Sequence, residues 1–182
     1  DARYFAYGAL NDSVSIPVKG KYFKASALLN HSKWSEVFDQ GPGFIARLCP
    51  VDYHRFHFPD AGQVLDSWRI AGALHSVNPW ALAFRQDIFM LNEREVTILE
   101  TEHFGKIAYV EVGATCVGKI QQTHHDASFE RGDEKGMFLF GGSTVIVLGE
   151  PGKWVVDERL LEYTNDGVEA YLKMGQALGR AL

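Results

Sequence analysis

Short β-rich segments separated by turn glycines constrain the fold of this chain more than any other feature. Each segment is apolar or alternating in character, and their ranges are 13–18, 94–99, 106–112, 136–140 and 144–148. Segments of this length and composition, bounded by glycine, predict strands rather than helices. Residues 26–38 have an apolar spacing compatible with one or two short helices. We therefore predict an α+β fold that is predominantly β, with few short helices.

The C-terminal residues 166–182 carry a more ambiguous signal. Their propensity is helical, but their glycines argue against one long helix. Residues 131–136 and 174–179 share the pattern x-Gly-[Asp/Gln]-x-x-Gly. This pattern predicts a turn at each place, with the first glycine at positive φ between two strands. On this interpretation the C-terminus is a β-hairpin.

Length and composition indicate one globular domain. The chain has 182 residues, of which 46% are hydrophobic, and this is sufficient for a packed core. A net charge of -5 argues against a nucleic-acid partner. Cys49 and Cys116 are isolated and predict thiols rather than a disulfide framework. No apolar run reaches the roughly 20 residues of a membrane-spanning helix, and no signal peptide is visible. Because the sequence starts at Asp1 without Met, we expect it to be part of a longer gene product.

The step Gly141-Gly142-Ser143-Thr144 places a nucleophile beside two residues that lack a Cβ. Glycine permits unusual backbone conformations and close approach of another group. The Ser143 hydroxyl is within reach of the Gly142 carbonyl, so this serine is a candidate for attack on its own chain. The alternative interpretation is a β-bulge or tight turn that leads into the next strand.

A second constellation lies in residues 52–59, where His54 and His57 are three positions apart in an aromatic setting. Histidine suits proton transfer near neutral pH. A structural role at a polar edge of the core is one alternative, and metal ligation together with His124 and His125 is another. The spacing does not match a recognised zinc site, so we predict no metal site.

In combination, these motifs resemble those of the phosphatidylserine decarboxylase family. Asp52-Tyr53-His54-Arg55-Phe56-His57-x-Pro59 and the Gly-Gly-Ser-Thr step carry the resemblance. Further segments similar to the family extend it over almost the whole length, in the same order: 16–21, 74–79, 92–94, 112–118 and 132–140.

The resemblance implies a proenzyme that cuts itself at the Gly142–Ser143 bond. Ser143 then matches the nucleophile, His57 the general base, and Asp1 the carboxylate of a protease-like triad, with Asp12 and Asp52 as alternatives for the carboxylate. Such a triad activates a hydroxyl through a base that a carboxylate orients. The implied products are chains 1–142 and 143–182, and the second begins with a pyruvoyl group derived from Ser143.

The resemblance also implies roles for the remaining candidates. The pyruvoyl cofactor accepts electrons when CO₂ leaves phosphatidylserine, and His54 acts in decarboxylation as an acid or as a positioner of the carboxylate. The implied substrate-binding residues are Tyr53, Val77, Asn78, Pro79 and Trp80, although plain packing is the alternative for Tyr53. Trp80 and Phe84 suit a water–lipid boundary, and a buried core loop is the alternative.

At the level of the whole protein, the resemblance implies peripheral membrane contact, association of the full-length protein with a bacterial inner or organellar membrane, and a homodimer. The membrane-associating helices of similar proteins precede this region, so we expect a single, soluble catalytic domain over residues 1–182. The implied fold is a barrel-like or sandwich β core related to the hybrid motif of biotinyl and lipoyl carriers. Two alternatives remain: a pyruvoyl-dependent decarboxylase of a free amino acid such as tryptophan, and a noncatalytic β domain that binds a small ligand or metal.

Overall fold

A computed structural model describes residues 1–10, 25–85, 87–115, 119–139 and 143–182 of the chain. The strands in these ranges are β1 (Ala2–Tyr7), β2 (Gly43–Leu48), β3 (Arg55–His57), β4 (Gly62–Ile70), β5 (Arg94–Thr101), β6 (Gly105–Val112), β7 (Lys119–Gln122), β8 (Ser128–Phe129), β9 (Glu134–Leu139), β10 (Ser143–Gly149), β11 (Trp154–Val156), β12 (Ala170–Leu172) and β13 (Gly179–Ala181). The helices are short: α1 (Ala25–Leu29), α2 (Ser32–Val37), α3 (Pro79–Phe84), α4 (Ile88–Leu91) and α5 (Glu158–Asn165).

The described strands form a sandwich built on one large antiparallel sheet. This eight-stranded sheet has the order β12-β1-β2-β10-β6-β5-β4-β8. A three-stranded sheet, β3-β9-β7, packs over one of its faces, and β11 pairs with β13 separately. The aromatic rings of Phe56 and Phe138 lie in the layer between the two sheets, 5.0 Å apart. The catalytic candidates are therefore divided between two sheets, with Ser143 on the large one and His57 on the small one.

Strand β10 occupies the centre of the large sheet, and all of its residues are buried. Val145 and Val147 face the small sheet, whereas Ile146 and Leu148 face a second core that the helices α1, α2 and α4 cover. Because successive side chains on a strand point to opposite faces, a strand covered on both faces needs a continuous apolar run. The run that follows Ser143 meets this requirement.

Most of the predicted elements are confirmed. The segments predicted at 94–99, 106–112 and 144–148 are strands β5, β6 and β10, and residues 26–38 form the short helices α1 and α2. The segment 136–140 coincides with β9 as far as Leu139. The predicted strand at 13–18 lies outside the described residues.

The two glycine turns are confirmed, but the C-terminal hairpin is wrong. Gly132 and Gly175 have φ values of 87° and 86°, as the repeated pattern predicts. Strand β12, however, pairs with β1, and β13 pairs with β11. Strand β2 pairs with one edge of β1 and leaves the other edge open, and β11 also has an open edge. The two C-terminal strands hydrogen-bond to these edges instead of to each other.

The core is a sandwich rather than a barrel. Within the described ranges, the large sheet ends at two edge strands, β12 and β8, and does not close on itself. The relation to the hybrid motif of biotinyl and lipoyl carriers stays a prediction. Among the residues whose structure is described, no helix has the length and apolar character needed to cross a bilayer.

Candidate active site

Ser143 is the first residue of β10 and lies opposite Leu48 on β2. Its side chain is 0% exposed, and its Oγ has no hydrogen-bond partner among the described residues. A buried hydroxyl without a partner costs free energy of about 1–3 kcal/mol. Gly141 and Gly142, which precede it, lie outside the described residues. Burial keeps water from this hydroxyl, but a serine nucleophile also needs a base within hydrogen-bond reach.

His57 is held through both ring nitrogens. Its Nδ1–H donates to the Gly132 carbonyl at 2.9 Å, and its Nε2 accepts from the Tyr53 hydroxyl at 3.0 Å. The Tyr53 and His57 rings stack, with centroids 5.7 Å apart and planes 13° apart. Neither Ser143 nor Asp1 is among the described hydrogen-bond partners of this ring. For His57 to act as a base on Ser143, Nε2 must exchange Tyr53 for the serine.

His54 lies at the opposite end of the β3–β9 pairing from His57. The Phe138 N–H donates to the His54 carbonyl at 2.9 Å, near the end of β9 that leads to the cleavage step. His57 instead lies opposite Glu134, where β9 begins. The His54 Nδ1–H donates to the main-chain carbonyl of Asp52 at 2.7 Å, which fixes its tautomer with Nε2 as the basic nitrogen.

The carboxylate of Asp52 fastens the loop that carries His54. It accepts from the Cys49 N–H at 2.7 Å and from the Arg3 guanidinium at 2.5 Å, and its side chain is only 4% exposed. Cys49 directly follows Leu48, the strand neighbour of Ser143. This ion pair therefore connects β1 to the His54 loop at the same end of the large sheet as Ser143.

Asp1 also lies at this end of the sheet and is anchored. Its Oδ1 accepts from the Met174 N–H at 2.8 Å, and its Oδ2 accepts from the Tyr171 hydroxyl at 3.5 Å. Ala2, the next residue, is buried in the layer between the sheets. The structure thus gives the carboxylate a defined position but no contact with His57. Asp12, the other alternative, lies outside the described residues.

Comparison with known proteins decides the family. A sequence profile described as phosphatidylserine decarboxylase matches residues 1–180. The chain belongs to the phosphatidylserine decarboxylase family. The phosphatidylserine decarboxylase proenzyme of Clostridium novyi is 43% identical over 183 aligned positions, which cover 100% of this chain and 62% of that protein.

Two further relatives of the family give the same result. The phosphatidylserine decarboxylase proenzyme of Chlamydia trachomatis is 41% identical over 181 positions, covering 99% of this chain and 60% of that protein. The proenzyme of the same name from Clostridium perfringens is 41% identical over 180 positions, covering 98% of this chain and 61% of that protein. The chain thus spans about three fifths of the length of the phosphatidylserine decarboxylase proenzymes that it matches.

The segment that resembles the substrate loop of phosphatidylserine decarboxylases is partly buried and partly exposed. Val77 is in the core, and the Asn78 side chain caps α3 by accepting from the Trp80 N–H at 2.8 Å. Pro79 is the first residue of α3, a position that tolerates proline. The side chains of Trp80 and Phe84 are 78% and 88% exposed. The alternative of a buried core loop is therefore wrong for these two rings.

Asn92 anchors the segment that leads into α3, a role that the sequence analysis missed. Its side-chain amide donates to the carbonyls of His75 and Gly113 at 2.8 and 2.7 Å, and its Oδ1 accepts from the His75 N–H at 2.9 Å. The residue is fully buried. The Asn-Glu-Arg turn shared with phosphatidylserine decarboxylases could have indicated this role. A buried Asn side chain needs hydrogen-bond partners, and here they are main-chain groups.

A buried ion pair in the layer between the sheets was also missed. The Lys135 Nζ donates to Glu111 Oε1 at 2.7 Å, and the side chains are 4% and 0% exposed. Burial raises the pKa of the Glu111 carboxyl, and the adjacent Lys135 ammonium opposes this shift. No motif contains both residues, and β6 and β9 belong to different sheets, so only the packing of one sheet on the other reveals their contact.

The histidines of the metal-binding alternative do not converge. The His124 Nε2–H donates to the Ser128 carbonyl at 2.9 Å, and the ring nitrogens of His57 are engaged as described above. In the part of the chain that the structure describes, no three His, Cys, Asp or Glu side chains form a group suited to a metal ion.

Proposed function

We propose that this chain is the catalytic core of a pyruvoyl-dependent phosphatidylserine decarboxylase, which converts phosphatidylserine to phosphatidylethanolamine and CO₂ after cutting itself at Gly142–Ser143. The observation that carries the proposal is the buried Oγ of Ser143 at the start of β10, which has no hydrogen-bond partner among the described residues. The matched relatives are named phosphatidylserine decarboxylase proenzymes, which supports the same reaction and a precursor form.

In the proposed self-cleavage, Ser143 Oγ attacks the Gly142 carbonyl carbon while His57 takes the hydroxyl proton. The Gly142–Ser143 C–N bond breaks, the proton passes to the Ser143 nitrogen, and an ester replaces the amide. Loss of the Ser143 Cα proton then breaks the Cβ–Oγ bond and frees Gly142 as a carboxylate. The remaining dehydroalanine reacts with water to give a pyruvoyl group and ammonia. Asp1 is the proposed carboxylate partner of the imidazolium.

The position of residue 143 fits the product of this chemistry. A pyruvoyl group has no hydroxyl donor, so the conversion removes the buried O–H of Ser143, for which no described residue is a hydrogen-bond partner. The pyruvoyl carbonyl supplies the electron sink for the carbanion that forms when CO₂ leaves an amine-bearing substrate.

The chain's own residues bind the substrate and move its proton. We assign proton delivery or carboxylate positioning to His54, whose tautomer the Asp52 carbonyl fixes. Tyr53 lies beside it, 40% exposed, and is assigned to head-group binding. Asn78 and Pro79 present Trp80 on α3, where its exposed ring suits the acyl or interfacial part of a phospholipid. Peripheral membrane contact of the full-length protein and a homodimer belong to the same proposal.

Intact mass spectrometry of the full-length protein tests the self-cleavage. We expect two fragments that divide after Gly142, with the smaller one blocked at its N-terminus. Ser143→Ala should remain a single chain, whereas Ser67→Ala, which alters a serine bonded to the Val96 carbonyl on β5, should be cut like the wild type. A wild-type protein that stays in one piece on incubation contradicts the proposal.

The substrate is tested by CO₂ release from the cleaved protein. We expect CO₂ from dispersed phosphatidylserine and none from free serine or tryptophan, because the exposed rings of α3 suit a lipid. Release from free tryptophan alone would support the amino-acid decarboxylase instead. An uncut protein that retains a bound metal on elemental analysis would support the noncatalytic alternative.

A further inference from the structure

The buried Glu111–Lys135 pair joins the two sheets that carry the two halves of the proposed site. Glu111 is on β6, directly opposite Val145 on β10. Residues two apart on a strand share a face, so Ser143 points to the same side of the large sheet as Val145 and Glu111. Ser143 is thus displaced from the level of Glu111 by two residues, about 7 Å along the strand.

The other end of the pair lies next to the His57 position. Lys135 stands on β9 between Glu134, which is opposite His57, and Gly136, which is opposite Phe56. Its ammonium lies over the ring of Phe56, 5.6 Å from the centroid. The pair therefore links the strand beside Ser143 to the strand beside His57.

A third polar side chain completes the contact and makes it directional. The Gln122 Oε1 on β7 accepts from Lys135 Nζ at 2.9 Å, and its Nε2 donates to Glu111 Oε2 at 3.3 Å. Both Glu111 oxygens are thus engaged, and the surroundings are the apolar layer between the sheets. Aliphatic contacts in that layer are non-directional, whereas charge-assisted hydrogen bonds fix position and angle.

Stability alone does not account for this arrangement. Removing two charges from water is costly, and replacing a buried ion pair by apolar side chains of similar volume is often neutral or stabilising. A matched apolar pair at positions 111 and 135 would fill the same layer. The ion pair differs from such a pair in the geometry that it imposes on the two sheets.

We propose that Glu111 and Lys135 are positioning residues for self-cleavage, which hold the small sheet and its histidines in register with the large sheet that carries Ser143. The inference rests on the proposed function, since it assigns the pair to the cleavage reaction of that site. The pair touches neither reacting atom; it acts through the strands β6, β9 and β10. Displacements of about 1 Å at a reacting centre reduce rates by as much as about a hundredfold, so a small shift between the sheets is sufficient.

The test is the rate of self-cleavage after synthesis of the full-length protein, followed by intact mass, together with the thermal midpoint of the uncut form. Lys135→Met removes the ammonium donor and Glu111→Gln removes the carboxylate charge, and we expect both to slow cleavage, Lys135→Met about tenfold or more. The decisive variant is the double replacement Glu111→Leu/Lys135→Met. In chains held uncut by His57→Ala, we expect the double variant to keep a thermal midpoint close to that of the chain with Glu111 and Lys135, whereas with His57 present its cleavage stays slow.

A surface pair provides the matched control. Arg69 donates to Glu93 at 2.5 Å, with the Arg69 side chain 54% exposed, and Arg69→Met/Glu93→Gln should cleave at the wild-type rate. Hydroxylamine, which cuts an ester but not a peptide bond, should fail to restore rapid cleavage in the double variant, because the defect precedes ester formation.

The outcomes separate this inference from the proposed function. A double variant that cuts itself at the wild-type rate, or that hydroxylamine cuts at that rate, overturns the positioning role while the proposed function stands. A wild-type protein that does not cut itself defeats the proposed function and this inference with it.

Discussion

At the scale of single residues, the proposed cleavage site centres on a hydroxyl that is buried from water and has no partner among the described residues. Ser143 is fully buried, and no described residue accepts from or donates to its Oγ. The same holds for Thr144 Oγ1 on the opposite face of β10. Unpartnered buried polar groups are uncommon, and each one lowers stability; the others among the described residues are Tyr7 Oη, His31 Nδ1 and Trp154 Nε1. If Ser143 is the nucleophile that we propose, stability and reactivity oppose each other at this residue.

This opposition predicts that Ser143→Ala stabilises the uncut protein. The comparison is made in chains held uncut by His57→Ala, so that processing does not intervene. Removal of the unpartnered hydroxyl should raise the free energy of unfolding by about 1 kcal/mol, measured by urea denaturation. Ser67→Ala, whose hydroxyl donates to the Val96 carbonyl at 3.2 Å, should show no such gain. A loss of stability in Ser143→Ala would mean that the hydroxyl has a partner.

At the scale of elements, the sequence predicts strands far better than their partners. The segments around β5, β6, β9 and β10 were identifiable because their apolar runs are bounded by turns. The local turn at Gly175 was also identifiable, since its positive φ follows from a local pattern. The pairing of β12 with β1 was not, because it joins residues about 170 positions apart and depends on which edge is open.

In the candidate site, too, local motifs are predictable from the sequence and contacts between separate elements are not. Ser143, His54 and His57 stand out through short motifs, and the family resemblance assigns them roles. The Tyr53–His57 stacking and the Asp52–Arg3 ion pair arise from contacts between separate elements, which no local pattern encodes. The Glu111–Lys135 pair is the clearest example. From the sequence alone, each residue would be assigned to the solvent-exposed face of its strand.

Helix α3 is the element that we expect to contact lipid. None of its residues is buried, and Trp80 and Phe84 project from a segment fastened to the core through Val77 and the Asn92 hydrogen bonds. Exposed aromatic rings on a fixed support favour the water–lipid interface.

We predict that Trp80→Ser/Phe84→Ser weakens binding of the full-length protein to phosphatidylserine vesicles, measured by co-sedimentation, without altering self-cleavage. The control is Tyr163→Ser, which removes a ring that is 50% exposed on α5, a different helix from α3. Equal vesicle binding by the α3 variant and the control would argue that α3 does not contact lipid.

At the scale of the whole molecule, cleavage at Gly142–Ser143 would cut the chain at the start of its central strand. The fragment 143–182 supplies β10, which pairs on both sides, with β2 and with β6. It also supplies α5 and β12 against β1, with the Ala6 N–H donating to Thr164 Oγ1 at 2.9 Å. Arg47 and Glu169 form a largely buried ion pair between the two fragments.

These contacts predict that the two fragments stay together after self-cleavage. Separating them would expose both faces of β10 and leave the backbone groups of β2 and β6 without their ladder, which is costly for buried strands. Size-exclusion chromatography under native conditions should therefore show one species that contains both fragments, and concentrated guanidinium chloride should be needed to resolve them. Because the proposed pyruvoyl group is at the first residue of β10, a fragment 143–182 that dissociated in native buffer would lose the histidines on β3 and its loop, and decarboxylation with them. Release of the small fragment without loss of activity would contradict a site shared between the two sheets.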